Sequence, residues 1–324
     1  MKRRTLLTTI TAAMAGLALA GPATAQDFPS DTIRLIVPYP PGGGSDSITR
    51  AFGAALEEVS GQAVVVENIP GSEGINGMLA LKNAAPDGYT IAMNGSSDVT
   101  APLAFRDQPP YELSDFSCAG AIFKTPAWIV SHADNGYEDL GDFLEAAKEK
   151  PGELILGTTG KLSATDFVAS TVKGTSGADF KVVPFGGGGP LRKAVMANQV
   201  DAGVILAPVF LPEIQAGELN VLAAAGDMSE INYEPARATK HIKEWGADIE
   251  VALIRGIWMP AGVPEDVQAK MSELVSQAIK SESFTAFGEN FGFGAHAMSG
   301  ADFCARLPQE VEDLKTVLSK YVER

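Results

Sequence analysis

The strongest constraint on the fold is an arrangement that recurs along the chain: an apolar strand, a turn rich in glycine or hydroxyl residues, and then a helical pattern. In "TIRLIVPYPPGGGSDSITRAFGAALEEVSG" a strand runs into three glycines, and apolar residues then follow at helical spacing. Similar arrangements occur in "LILGTTGKLSATDFVAS" and "FKVVPFGGGGPLRKAVM", and small polar residues follow the strand in "YTIAMNGSSDV". This alternation of strands and helices predicts an α/β protein with largely parallel sheets.

These turns indicate a binding site for a small molecule. Ligands of open α/β sheets lie beyond the carboxyl ends of the strands, glycine lets backbone N–H groups approach a ligand, and a helix start favours an anion. For the first turn a structural explanation stays open, in which the glycines turn the corner and Asp46 caps the helix. The turn is not a nucleotide fingerprint, because Ser47 stands where G-x-G-x-x-G needs its last glycine. We favour the interpretation that several such turns line one cleft.

The first residues, "MKRRTLLTTITAAMAGLALAGPATAQ", have the basic start, apolar middle and small-residue ending of a secretory signal peptide cleaved near Ala25. They predict export to the periplasm by either the Sec or the twin-arginine route. Without residues 1–25 the chain has 22 basic and 40 acidic residues, a net charge of about −18. Such an acidic chain is not expected to bind nucleic acid.

The residues that usually carry chemistry are sparse. Cys118 and Cys304 allow either one disulfide or two free thiols, and their spacing fits no metal site. The three histidines, His132, His241 and His296, lie in no metal-binding or catalytic motif. We therefore predict no catalytic residue, no metal and no cofactor.

Four segments, in consistent order, resemble one family: "IRLIVPYPPGGGSDSITR", "GQAVVVENIPGSEGINGMLALKNAAPDGYTIAMN", "VVPFGGGGP" and "GIWMPAGVPEDV". The chain is similar, from about Phe28 to its end, to the tripartite tricarboxylate transporter receptors, which are extracytoplasmic solute receptors also called Bug proteins. The resemblance implies a type II periplasmic binding-protein fold, with two α/β domains and a ligand cleft between them. It also implies a receptor without enzymatic activity, here expected to be a monomer. Such a receptor captures a small carboxylate-bearing ligand and delivers it to the membrane subunits of a transporter.

The resemblance also implies how the chain is divided. After the signal peptide at residues 1–25, residues 27–124 together with 253–324 are expected to form one domain. Residues 125–252 are expected to form the other. The late strand pattern "VALIRGIWMP" supports a return of the chain to the first domain.

Family members hold a ligand carboxylate with loop backbone groups, hydroxyls and bridging waters. Transferred to this chain, the expected ligand-binding residues are Tyr39, Pro40, Gly42, Gly43, Gly44, Ser45 and Asp46 in the first turn, Ser96 after a later strand, Thr158, Thr159, Gly160, Lys161 and Ser163 in the second domain, and Phe185, Gly186 and Gly187 in the next turn. Two positions depart from the family pattern: Asp166 stands where a histidine is usual, and "PFGGGG" replaces "P-Y-x-G". The Lys161 ammonium is expected to pair with a second ligand carboxylate.

Two other functions stay open. One is a periplasmic enzyme that acts on a small carbonyl or ester substrate through Ser45 or Ser163, although no base is identifiable for either hydroxyl. The other is a ligand receptor that feeds a sensor protein instead of a transporter. Its binding chemistry would be the same, so the residues do not separate it from a transport receptor.

Overall fold

A computed structural model describes most of the chain. The described residues are 28–206, 210–226, 228, 238–249, 252–291 and 297–321. The expected signal peptide, residues 1–25, and His296 lie outside these ranges.

The described elements alternate for most of the chain, as the sequence pattern predicts. The strands are β1 (Ile33–Val37), β2 (Val64–Asn68), β3 (Thr90–Gly95), β4 (Phe116–His132), β5 (Ile155–Thr158), β6 (Lys181–Pro184), β7 (Ala202–Leu206), β8 (Leu219–Ala225), β9 (Ala252–Pro260) and β10 (Met298–Ser299). The helices are α1 (Gly44–Ser60), α2 (Ile75–Lys82), α3 (Ser96–Phe105), α4 (Leu140–Glu149), α5 (Ala164–Ser176), α6 (Gly188–Met196), α7 (Leu211–Gln215), α8 (Glu265–Ala278), α9 (Glu282–Phe291) and α10 (Gly300–Tyr321).

The strands form a connected sheet whose main path has the order β2-β1-β3-β9-β4-β7-β5-β6. Pairing is parallel among β1, β2 and β3 at one end, and among β5, β6 and β7 at the other. It is antiparallel wherever β4 or β9 takes part. The prediction of largely parallel sheets is therefore right for the two ends and wrong for the centre. The reason is that β4 and β9 are not joined to their neighbours by strand–helix–strand crossovers.

Strand β4 runs through the centre and changes partners along its length. Its first part pairs with β9 up to Pro126, which lies opposite Ala252. From Ala127 onward β4 pairs with β7 on one side and β8 on the other. Proline has no N–H to donate to a ladder, so Pro126 suits the position where one set of partners ends and the next begins.

The apolar core is divided in the same way. Two buried clusters use residues between 33 and 123 and between 254 and 307. Two others use residues between 127 and 247. We call the parts built on these two pairs of clusters the first lobe and the second lobe. The parallel strand ends of each lobe carry the turns that the sequence singles out.

The two cysteines are joined by a disulfide, which settles the alternative left open by the sequence. Cys118 on β4 and Cys304 on α10 have Cα atoms 5.8 Å apart and are separated by 186 positions in sequence. The bond fastens the last helix to the central strand of the first lobe. Among the described residues, no helix has the length and apolar character needed to cross a membrane.

Candidate functional site

The first-lobe turn is held by Asp46. Gly42 has a left-handed backbone (φ 81°), and Gly43 is the N-cap of α1. The Asp46 carboxylate accepts hydrogen bonds from the Gly42 N–H (2.9 Å) and the Asn68 amide (2.9 Å), and it pairs with Arg50 (2.9 Å). Burial acts to raise the pKa of Asp46, but the bonds from Arg50, Gly42 and Asn68 outweigh it and lower the pKa. Asp46 therefore stabilises the conformation of the turn from a buried position.

The second-lobe turn has the same construction around Asp166. Leu162 has a left-handed backbone (φ 60°), and its N–H donates to Asp166 Oδ2 (2.9 Å). Ser163 is the N-cap of α5, and its hydroxyl accepts from the Asp166 N–H (3.3 Å). Thr158 Oγ1 donates to Asp166 Oδ1 (3.1 Å). Burial raises the pKa of Asp166, although the bonds from Leu162 and Thr158 and the charge of Lys161 act to lower it.

We call residues 42–46 and 162–166 the matched turns. Each begins with a left-handed residue, continues with the N-cap of a helix, and places an aspartate four positions after the first residue. In each, the aspartate binds the N–H of the left-handed residue, so the loop keeps one shape. The free N–H groups of a helix start favour a negatively charged group. The arrangement suits a ligand carboxylate bound through backbone donors.

In the second-lobe turn, the hydroxyl groups predicted to bind ligand form hydrogen bonds within the turn itself. Ser163 Oγ donates to the Gly160 carbonyl (2.8 Å), and the hydroxyls of Thr159 and Thr165 lie 2.8 Å apart. Thr158 is fully buried, with its hydroxyl on Asp166. A Ser163 hydroxyl committed to a carbonyl and a helix cap is a structural group, which argues against the enzyme alternative for this residue.

The glycine run after β6 faces open space. Apart from the glycines' own chain neighbours, no heavy atom of the described residues lies within 4 Å of the position that a Cβ would take on Gly186, Gly187, Gly188 or Gly189. Gly187 has a positive φ of 116° and is the N-cap of α6, and its N–H donates to the Thr159 carbonyl (2.8 Å). Phe185 is half-buried, and its ring packs over Gly157. The run thus offers a bare backbone surface beside the second-lobe turn.

The strand ends of the first lobe carry a polar cluster that the sequence reasoning missed. Tyr39 Oη donates to Asn94 Oδ1 (3.2 Å). Arg255 forms an ion pair with Asp98 (3.2 Å), and the central carbon of its guanidinium lies 5.7 Å from the centre of the Tyr39 ring. Burial and the charge of Asp98 raise the pKa of Tyr39 well above its ordinary value. The buried Asn94 Nδ2 has no hydrogen-bond partner among the described residues. An arginine inside the apolar strand "ALIRGIWMP" was the available signal for this cluster.

The remaining predicted residues differ in their surroundings. Ser96 is fully buried, and its hydroxyl acts to lower the pKa of Glu310 on α10, although it has no hydrogen bond of ordinary geometry among the described residues. Gly43, Gly44 and Ser45 are half-buried, whereas Pro40 and Lys161 are exposed. The positive charge of Lys161 acts to lower the pKa of Glu73, a residue of the first lobe.

No group of three or more potential metal ligands occurs within the part of the chain that the structure describes. The His132 imidazole accepts the N–H of Asp134 (3.3 Å). The His241 ring has the N–H of Lys243 3.1 Å from Nδ1 and the N–H of Gly226 3.0 Å from Nε2, and it can accept only one of the two because the other nitrogen of a neutral imidazole carries the proton. Both rings thus contact backbone N–H groups.

Replacing Asp46 by alanine is expected to destabilise the protein by about 1–3 kcal/mol, because it leaves the donors of Gly42 and Asn68 without their buried acceptor. Urea unfolding measures this loss. The control is Asp107→Ala, which also removes one carboxylate but from an exposed position. Equal stability of the two variants would contradict the assigned role of Asp46.

Solved structures with the same fold include a periplasmic binding protein. The periplasmic binding protein BugD is 22% identical, with a TM-score of 0.81 over 90% of this chain and 98% of that one. Rpa4515 of R. palustris with adipate is 22% identical, with a TM-score of 0.82 over 91% and 98%. MatC (Rpa3494) from Rhodopseudomonas palustris with bound malate is 22% identical, with a TM-score of 0.79 over 90% and 100%. The expected fold class is confirmed.

The chain belongs to the tripartite tricarboxylate transporter receptor family, whose sequence profile matches residues 48–321. Two relatives come from Bordetella pertussis (strain Tohama I). One, a protein of the UPF0065 group, is 28% identical over 294 residues, 90% of this chain and 90% of the relative. The other, BugT, is 26% identical over 296 residues, 89% of this chain and 90% of the relative. The resemblance seen in the sequence is confirmed, and the protein is a solute-binding receptor of this family.

Proposed function

We propose that this protein is an exported receptor that binds a small carboxylate-bearing ligand between its two lobes. It delivers that ligand to the membrane subunits of a tripartite tricarboxylate-type transporter. The observation that carries the proposal is the pair of matched turns, one in each lobe, each presenting a helix start suited to an anion. Membership of the receptor family supports the transport role. The adipate and malate in two structural neighbours support a carboxylate ligand.

We also propose that the lobes are the two domains expected from the sequence, residues 27–124 with 253–324 and residues 125–252. The separate apolar cores support this division, and so does the change of partners of β4 at Pro126. The ligand-binding set remains the one predicted, with Asp46, Thr158 and Ser163 assigned to shaping the turns. Backbone donors of residues 43–45 and of Gly186 are the groups proposed to meet the ligand, since the Gly187 N–H is bound to the Thr159 carbonyl.

A carboxylate is expected to raise the thermal stability of the mature protein. A ligand present at 100 times its Kd adds about 2.7 kcal/mol to the free energy of unfolding. The measurement is a thermal-shift screen with linear and aromatic mono- and dicarboxylates of three to eight carbons, adipate and malate among them. The matched amides are the control, and they are expected to have no effect. A screen in which no carboxylate shifts the transition would contradict carboxylate binding.

Delivery to a transporter is tested separately, by uptake of a labelled acid identified in the screen. Deleting the gene for this protein is expected to abolish uptake. Unchanged uptake together with loss of a transcriptional response to the acid would instead indicate a receptor that feeds a sensor.

A further inference from the structure

Glu73 is carried by a loop with an unusual backbone. Both Ser72 (φ 48°) and Glu73 (φ 59°) are left-handed, a conformation that residues with a side chain rarely adopt. The next residue, Gly74, packs on the strand ends of the first lobe: a Cβ there would lie 3.4 Å from Tyr39 Oη and 3.6 Å from Asn94 Nδ2. The loop is thus fixed on the polar cluster of the first lobe. Such local strain at a fixed position is a feature of functional loops.

The Glu73 side chain reaches the second lobe. A Cβ on Gly160 would lie 3.6 Å from Glu73 Cγ and 3.8 Å from Glu73 Oε1. The backbone N–H of Lys161, the next residue, acts to lower the pKa of the Glu73 carboxyl. The contact therefore uses a glycine and a backbone donor that the sequence reasoning assigned to the ligand. Glu73 as a whole remains exposed, so a ligand can meet it.

Charged groups of both signs act on Glu73. Partial burial and the negative charge of Asp166 raise the pKa of the Glu73 carboxyl, while the charges of Arg106 and Lys161 and the Lys161 N–H act in the opposite direction. A ligand carboxylate at this turn would therefore meet two protein carboxylates, Glu73 and Asp166. It would also compete with Glu73 for the Lys161 N–H.

We propose that Glu73 determines specificity, by placing a carboxylate of the protein against the Gly160–Lys161 peptide and so excluding a second ligand carboxylate from the second-lobe turn. This inference rests on the proposed function. The receptor then prefers a ligand with one carboxylate, bound at the first-lobe turn, and an uncharged or cationic far end. On this proposal the exposed Lys161 side chain does not select dicarboxylates.

The test compares ligand pairs that differ by one carboxylate, hexanoate with adipate and benzoate with terephthalate, by calorimetry at pH 7.5. In the wild type the monocarboxylate of each pair is expected to bind more tightly. In Glu73→Gln, which keeps the size of the side chain, the preference is expected to fall roughly tenfold because like-charge repulsion is removed. Glu73→Gly is expected to give the same change without strain, because glycine accepts the left-handed backbone. Glu153→Gln, which changes an exposed carboxylate at the other end of β5, is expected to keep the wild-type preference.

The outcomes separate this inference from the function on which it rests. If the acids bind and the mono-to-dicarboxylate ratio is the same in wild type, Glu73→Gln and Glu73→Gly, the role of Glu73 is overturned and carboxylate binding stands. A wild type that prefers the dicarboxylates overturns it as well. If none of the four acids binds to any variant, the role of Glu73 is overturned, and the thermal-shift screen decides whether carboxylate binding falls with it.

Discussion

Replacing both Cys118 and Cys304 by alanine is expected to lower the free energy of unfolding by about 2–5 kcal/mol. The disulfide joins positions 186 residues apart, so it removes a large number of conformations from the unfolded chain. It also fastens α10 to β4, and α10 contributes Phe303 and Leu307 to the core of the first lobe. Its loss is therefore expected to affect the folding of the first lobe more than that of the second.

Urea unfolding of the mature protein, with and without a reducing agent, measures this effect. Reduction of the wild type is expected to reproduce most of the loss seen in the double alanine variant. The variant itself is its own control, because its transition should not respond to the reducing agent. A reduced wild type that unfolds at the same urea concentration as the oxidised protein would show that the disulfide contributes nothing.

Glu310→Gln is expected to stabilise the protein at pH 8 by up to about 3 kcal/mol, which is the free-energy equivalent of the shift in the Glu310 pKa. Burial raises this pKa from 4.5 to about 7, although the hydroxyls of Ser96 and Thr100 and the charge of Arg306 act to lower it. The folded protein therefore favours the protonated carboxyl. The corresponding stability is fully present below pH 4.5 and is lost as the pH rises through about 7.

The experiment follows the free energy of unfolding between pH 5 and pH 8. The wild type is expected to lose more stability than Glu310→Gln over this range. Glu312→Gln is the matched control, since Glu312 lies on the same helix with its side chain 65% exposed, against 15% for Glu310. Parallel pH profiles for the wild type and Glu310→Gln would mean that Glu310 ionises normally in the folded protein.

The sequence predicts the units of the fold better than their assembly. The turn after β1, the helix that follows it and the similar unit at β5 are visible because glycine, hydroxyl residues and helical spacing are local signals. Strand β4 is not, because Lys124 and Pro126 interrupt its apolar pattern and its partners lie far away in sequence. Helix α3 was also missed, since Pro102 lies inside it.

The candidate site shows the same limit. The sequence identifies which loops follow parallel strands, but it does not tell which of their groups point outward. Thr158 and Ser163 carry hydroxyls, yet these bind Asp166 and Gly160 within the loop. Glu73 was not predicted, because its importance depends on a contact with Gly160, a residue of the other lobe. Contacts between distant segments require the folded structure.

The matched turns also have a consequence for how new specificities arise in this receptor. The ligand donors proposed at the first matched turn, and at Gly186 beside the second, are backbone N–H groups, which every residue except proline supplies. Mutation of a neighbouring side chain therefore leaves the anchoring groups in place, as long as Asp46 and Asp166 keep the two loops in shape. Surrounding side chains such as Glu73 are then free to vary without loss of the backbone N–H groups proposed to bind the ligand. A receptor built in this way exchanges one acid for another through few substitutions, which makes it a suitable starting point for sensors of new acids.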